Sequence, residues 1–335
     1  MKITIIKILL FLLIIQMNYF AQNKINEEII LNYNFNTQLA KGTSTTKLTN
    51  NPLFRDAAIN SNDKIFVSDA VQRKIIIFDK NGEFNSEINI NNIIKQKFNQ
   101  VKITLDEEDN LYVLFLLGDF FRGLIKFNKN NVLYNEFELE KPLPMDRTTN
   151  ISVRNNNIYI RTFPSAMDPR YIEQGTVFVY NTFGMYLGRT DYDLVDKNGL
   201  IYKSNIDKEK YYIEIFDKPK ENKVLLTRDL IKMDEIVIPH LHPGKISYQD
   251  HWYIVGIDNM NNIFISNDID IKSFNFYKKE RNRTNFKMKE IRSKDIFIMH
   301  RAKIQCNLVG KLFLLATKGE GKDHPDSKTI IIPIN

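Results

Sequence analysis

The feature that most constrains the fold is a pattern of two short β-rich runs that returns six times along the chain. In its clearest copy, Asp63-Lys64-Ile65-Phe66-Val67-Ser68-Asp69 is followed by a polar loop and then by Lys74-Ile75-Ile76-Ile77-Phe78. Asp79-Lys80-Asn81-Gly82 then supplies a hairpin turn before Glu83-Phe84. Fainter copies centre on Tyr112, Tyr159, Ile201, Phe264 and Phe313, each taken as the equivalent of Phe66.

Successive copies are about 46, 47, 42, 63 and 49 residues apart, the length of one four-stranded propeller blade. Runs such as Ala57-Ala58-Ile59, Ile103-Thr104-Leu105, Ile151-Ser152-Val153 and Ile254-Val255-Gly256-Ile257 precede the copies and are expected to line a central channel. The expected fold is therefore all-β, a six-bladed β-propeller with four-stranded blades over residues 51–335. Residues 22–50 form an N-terminal segment, in which Glu28 to Phe35 is a strand-like run. That run is expected to close the ring by pairing into the last blade, because an open sheet edge invites aggregation.

Val67 to Phe84 resembles the NHL repeat: a strand ending in Asp, a short loop, a basic residue, an aliphatic strand ending Phe-Asp and an Asn-Gly hairpin. Lys74 stands where that family commonly has Arg. The resemblance implies a six-bladed propeller. Gluconolactonase-like hydrolases and peptidylglycine lyases share this shape and hold metals at the channel mouth, but the inner strands here are mostly apolar.

Residues 1–21 carry Lys2 and Lys7, the apolar run Ile8 to Ile15 and a polar end at Gln16 and Asn18. This is the order of a secretory signal peptide, with cleavage expected after Ala21 and a secreted or periplasmic mature protein. The apolar core is shorter than the roughly 20 residues that span a bilayer, and no other stretch approaches that length, so no transmembrane segment is expected in the mature chain.

The formal charge of +7 falls to about +5 without the two leader lysines, and lysine far outnumbers arginine. Such an excess is no signal for nucleic acid, and Lys278 to Arg283 reads as a solvated hairpin. The single cysteine, Cys306, excludes an intramolecular disulfide, so packing alone must hold the fold.

In a propeller, the loop between the second and third strands of each blade and the segment entering each inner strand emerge together at the channel mouth. Arg55, Arg73, Arg122, Arg147, Arg161, Arg170 and Arg301 fall on such segments. Guanidinium groups suit carboxylates and phosphates, so this face is expected to bind an extracellular or periplasmic protein, peptide or glycan without a cofactor. The plainer reading pairs these arginines with local carboxylates. An alternative places a divalent metal on His240, His242 and His251, near Asp250, for a metal-dependent hydrolase or lyase. These histidines read more simply as ordinary loop residues. Phe163 to Tyr171 is the longest ornate loop, read either as a lid or specificity loop or as a simple insertion.

Overall fold

The computed structural model describes residues 29–31, 33, 55–69, 72–94, 98–117, 120–144, 148–162, 177–206, 211–219, 223–238, 252–257, 262–270, 273–279, 286–292, 296–297, 304–307, 312–318 and 328–333. Residues 1–21, expected as a leader, lie outside them. The chain opens with β1 (Ile29–Ile30). Blade one follows as β2 (Arg55–Ile59), β3 (Ile65–Asp69), β4 (Lys74–Phe78) and β5 (Phe84–Asn89). Blade two is β6 (Phe98–Leu105), β7 (Leu111–Leu117), β8 (Phe120–Phe127) and β9 (Leu133–Pro144). Blade three is β10 (Thr148–Arg154), β11 (Asn157–Thr162), β12 (Val177–Asn181) and β13 (Tyr186–Thr190). Blade four is β14 (Leu194–Val195), β15 (Ile201–Ile206), β16 (Tyr211–Phe216) and β17 (Lys232–Ile238). Blade five is β18 (Trp252–Ile257), β19 (Ile263–Asp270), β20 (Ser273–Lys279) and β21 (Phe286–Arg292). The last sheet combines β1 with β22 (Ile296–Phe297), β23 (Ile304–Cys306), β24 (Leu312–Lys318) and β25 (Lys328–Pro333).

Each of the five blades is an antiparallel meander in chain order, and the arrangement is a β-propeller. First strands neighbour first strands, β2 with β6, β6 with β10, β14 with β18 and β18 with β23, which makes them the innermost ring. Apolar faces close between blades. Phe66, Ile75 and Ile77 of blade one pack with Ile103, Val113 and Ile125 of blade two. Tyr112, Leu114 and Leu124 on the other face of blade two pack with Ile151, Val153 and Ile160 of blade three.

The expectation of six four-stranded blades is corrected by the sheet order: five four-stranded blades form, and the remaining sheet is five-stranded and forked. Both β22 and β23 pair with the same edge of β24. Phe297 lies opposite Thr317 and Ile304 opposite Leu314, so one chain advances seven residues while its partner moves three. The surplus cannot lie in a ladder of fixed repeat, and the would-be inner strand is split in two. The N-terminal strand does pair into this sheet, Ile29 opposite Ile331 and Ile30 opposite Ile330. Leu31 then packs with Ile331 and Phe313 on one side and with Ala57 and Phe78 of blade one on the other, sealing the seam.

Candidate functional site

The two ends of the ring are built differently. At one end the strands of a hairpin turn back through a repeated five-residue loop. The first residue's side-chain oxygen accepts from the backbone N–H groups of the third and fifth, as at Asn60, Asp79, Asp106, Asn128, Asn181 and Asp196. The fourth residue is left-handed each time: Asp63, Gly82, Asp109, Asn131, Gly184 and Gly199. These turns are also tied from blade to blade. Asn307 donates to the Asn60 carbonyl, Ser61 donates to Asp109, the Asn155 N–H donates to Glu107, and the Asn155 amide donates to the Asp196 carbonyl.

The opposite end, the mouth, gathers the segments between second and third strands and those between blades. The stretches 163–176 and 239–251 lie outside the described residues.

At blade one the mouth is tightly organised. Asp69 Oδ1 accepts from the Gln72 N–H at 3.0 Å, and Arg73 takes a left-handed φ of 55°. The Arg73 carbonyl accepts from the Ile90 N–H, and its guanidinium donates to Asn91 Oδ1 at 3.3 Å. A single 3-10 turn at Ile90–Asn92, capped by Asn89, holds that acceptor in place. Arg55 begins β2, opposite Asp69 in register, and Arg122 lies in β8. Arg147, Arg170, Arg301, His240, His242 and His251 lie outside the described residues, as do His300 and the 163–171 loop.

Between blades three and four the mouth holds a polar network in which Arg161 pairs with a local carboxylate, as the plainer reading has it, through partners the sequence did not single out. Arg161, at the end of β11, is ion-paired with Asp193 and donates to the Tyr192 carbonyl at 3.1 Å. Asp193 also accepts from the Ser204 N–H and hydroxyl. Next to it, Asp191 accepts from the Lys203 ammonium and, at 2.7 Å each, from the N–H and hydroxyl of Thr227. Burial pushes the Asp191 carboxyl upward, but the Lys203 and Thr227 hydrogen bonds outweigh it and hold the group below its ordinary value. Tyr159 and Tyr192 meet beneath, ring centroids 6.1 Å apart, and burial raises both phenols. Arg161 is thus committed to a local carboxylate, and the Arg73 guanidinium donates to the Asn91 amide oxygen. The Asp191-Tyr192-Asp193 run just before an inner strand was the available sequence signal; Thr227, brought in from the far side of the blade, left none.

Among the described residues no group of three or more His, Cys, Asp or Glu side chains is placed to hold a metal ion. No described helix is long and apolar enough to cross a membrane.

No protein-family profile matches the chain, and no curated protein resembles it in sequence. Among solved structures, the chain is similar to a PQQ-bound aldose sugar dehydrogenase from Streptomyces coelicolor, at 10% identity and TM-score 0.46 over 84% of this chain and 93% of that one. It is also similar to a streptogramin B lyase, at 10% identity and TM-score 0.43 over 92% and 97%. A third is the calcium-binding protein regucalcin from Agrobacterium tumefaciens, at 12% identity and TM-score 0.42 over 83% and 89%. All three are β-propellers, and at identities this low no residue of a site carries over from one chain to the other.

Proposed function

We propose that the chain is an exported, NHL-like propeller that binds an acidic protein, peptide or glycan at its mouth, outside the cytoplasm and without a cofactor. The observation that supports this reading is the placement of Arg55, Arg73 and Arg122 on the segments at the end of the ring opposite the repeated self-capped turns. Guanidinium groups grip oxyanions in paired geometry, and a ring of blades fixes their spacing without a rearrangement on binding. In this reading Arg161 shapes the mouth through Asp193, while Arg55, Arg73 and Arg122 meet the ligand.

The test uses the purified mature chain against a sulfated glycan and a polyglutamate peptide, with dextran as the neutral control. Binding to the acidic probes that weakens in high salt, and falls by about tenfold or more in Arg55→Glu/Arg122→Glu, supports the proposal. Equal affinity in the variant, with circular dichroism unchanged, overturns it. Export is tested separately by sequencing the N-terminus of the protein recovered outside the cytoplasm, which is expected to begin near residue 22.

A further inference from the structure

Lys102 sits midway along β6, the innermost strand of blade two, and is only 8% exposed. Its cross-strand partner is Leu114, which belongs to the apolar layer closed by Ile151 and Val153 of blade three. The stem of the lysine therefore runs along an apolar interface, and the little exposure that remains, on an innermost strand, opens onto the channel. Among the described residues no carboxylate, amide or carbonyl is paired with its ammonium.

The equivalent position in blade one shows what the fold itself asks for there. Asp56 stands three residues before Ile59, which pairs with Ile65, as Lys102 stands three before Leu105, which pairs with Leu111. The Asp56 carboxylate accepts from its neighbour Ala57 and, at 3.1 Å, from the Ile103 N–H of the next blade, bridging the two. An ammonium has no lone pair to offer and cannot make that bridge. The lysine thus departs from the role its position has in blade one, and an ammonium whose stem is enclosed and that meets no counter-charge among the described residues favours an anion brought to it.

We propose that Lys102 is the charge anchor of an oxyanion site inside the channel, holding a carboxylate or phosphate group of a ligand that enters at the mouth. The site rests on the reading of the mouth as an anion-binding face and names the ligand group that penetrates furthest.

The experiment measures binding of inorganic phosphate and of a triglutamate peptide by calorimetry and by thermal shift, for the wild type, Lys102→Met, Lys102→Arg and Arg55→Glu/Arg122→Glu. One charge-assisted contact corresponds to about a tenfold to hundredfold change in affinity. The expected result is that Lys102→Met loses the anion-dependent rise in Tm and at least about tenfold in affinity, while Lys102→Arg keeps both. Without added anion, Lys102→Met is expected to melt no lower than the wild type, because an ammonium with no partner among the described residues has been replaced by an apolar side chain of similar length on the same enclosed stem. Response to phosphate alone identifies a phosphorylated ligand, and response to the peptide alone a carboxylate. Peptide binding that Lys102→Met leaves intact, but Arg55→Glu/Arg122→Glu weakens, overturns the channel site and leaves the mouth reading standing. Small-anion binding lost only in Lys102→Met does the reverse. Absence of any anion binding in the wild type overturns both.

Discussion

Gly82, in the outer hairpin of blade one, packs against the carbonyl oxygen of Ile30, in the strand that closes the last sheet, so closely that no side chain fits between them. Its φ of +86° is a left-handed conformation, so two requirements meet at one glycine. Tyr33 strengthens the same contact, stacking on Phe84 at 5.5 Å and donating to Glu87 at 3.2 Å. The N-terminal segment therefore grips both the last sheet and blade one.

Gly82→Ala is expected to destabilise the protein by about 2–4 kcal/mol, since the added carbon meets backbone that cannot move without dislodging β1. Gly199→Ala is the control. Its φ is also +86°, but the added carbon would meet the flexible end of Lys218, and about 1 kcal/mol is expected. Urea denaturation of the two variants checks the difference; equal losses would mean that the seam contact contributes nothing beyond backbone strain.

This seam was partly legible in the sequence. The run from Glu28 announced a closing strand, and Phe78-Asp79-Lys80-Asn81-Gly82 announced the turn it meets, because alternation and turn chemistry are local signals. The forked last sheet was not, since a surplus of residues between Phe297 and Ile304 appears only once both are matched to β24. The mouth was legible as a place and not as a network: Arg161 and Asp193 are distant in sequence and meet only through the stacking of blades three and four. Lys102 was readable as a charge between Val101 and Ile103, but its near-burial on an innermost strand is a fact of packing.

Stability in acid is expected to depend on Asp191. Its folded-state carboxyl is held below the ordinary value of 3.8, so its contribution is complete above that pH and is lost as pH falls through the depressed folded value. Asp191→Asn is expected to lower stability by about 1–3 kcal/mol near neutral pH, through loss of the charge-assisted bonds from Lys203 and Thr227. The difference from wild type should shrink steadily below about pH 4. Melting curves across that range test it, and a gap independent of pH would remove Asp191 as the titrating group.

The self-capped turns carry a second expectation. Asp106 is buried, and its Oδ1 accepts from the N–H groups of Glu108 and Asn110 while Oδ2 accepts from the Asn110 amide. Asp106→Ala leaves those donors without an acceptor and is expected to cost about 2–4 kcal/mol, against about 1 kcal/mol for Asn128→Ala on the exposed outer turn. Denaturant midpoints for the two variants, at unchanged m-value, make the comparison; reversal of the order would count against burial as the deciding factor.

Arg161 separates architecture from recognition at the mouth. Its partner Asp193 is largely buried and is also held by Ser204, so removing the guanidinium leaves a carboxylate with two donors rather than none. The arginine side chain is about a third exposed, which weakens the pair through solvent screening, and Arg161→Ala is expected to cost about 1–2 kcal/mol. If the pair is structural, acidic-probe affinity in this variant stays within about twofold of wild type, while Arg55→Glu/Arg122→Glu loses affinity without losing stability. The combination of calorimetric binding and thermal melting on the same samples distinguishes the two roles. A tenfold loss of affinity in Arg161→Ala at unchanged Tm would move Arg161 into the ligand contact and require Asp193 to release it on binding.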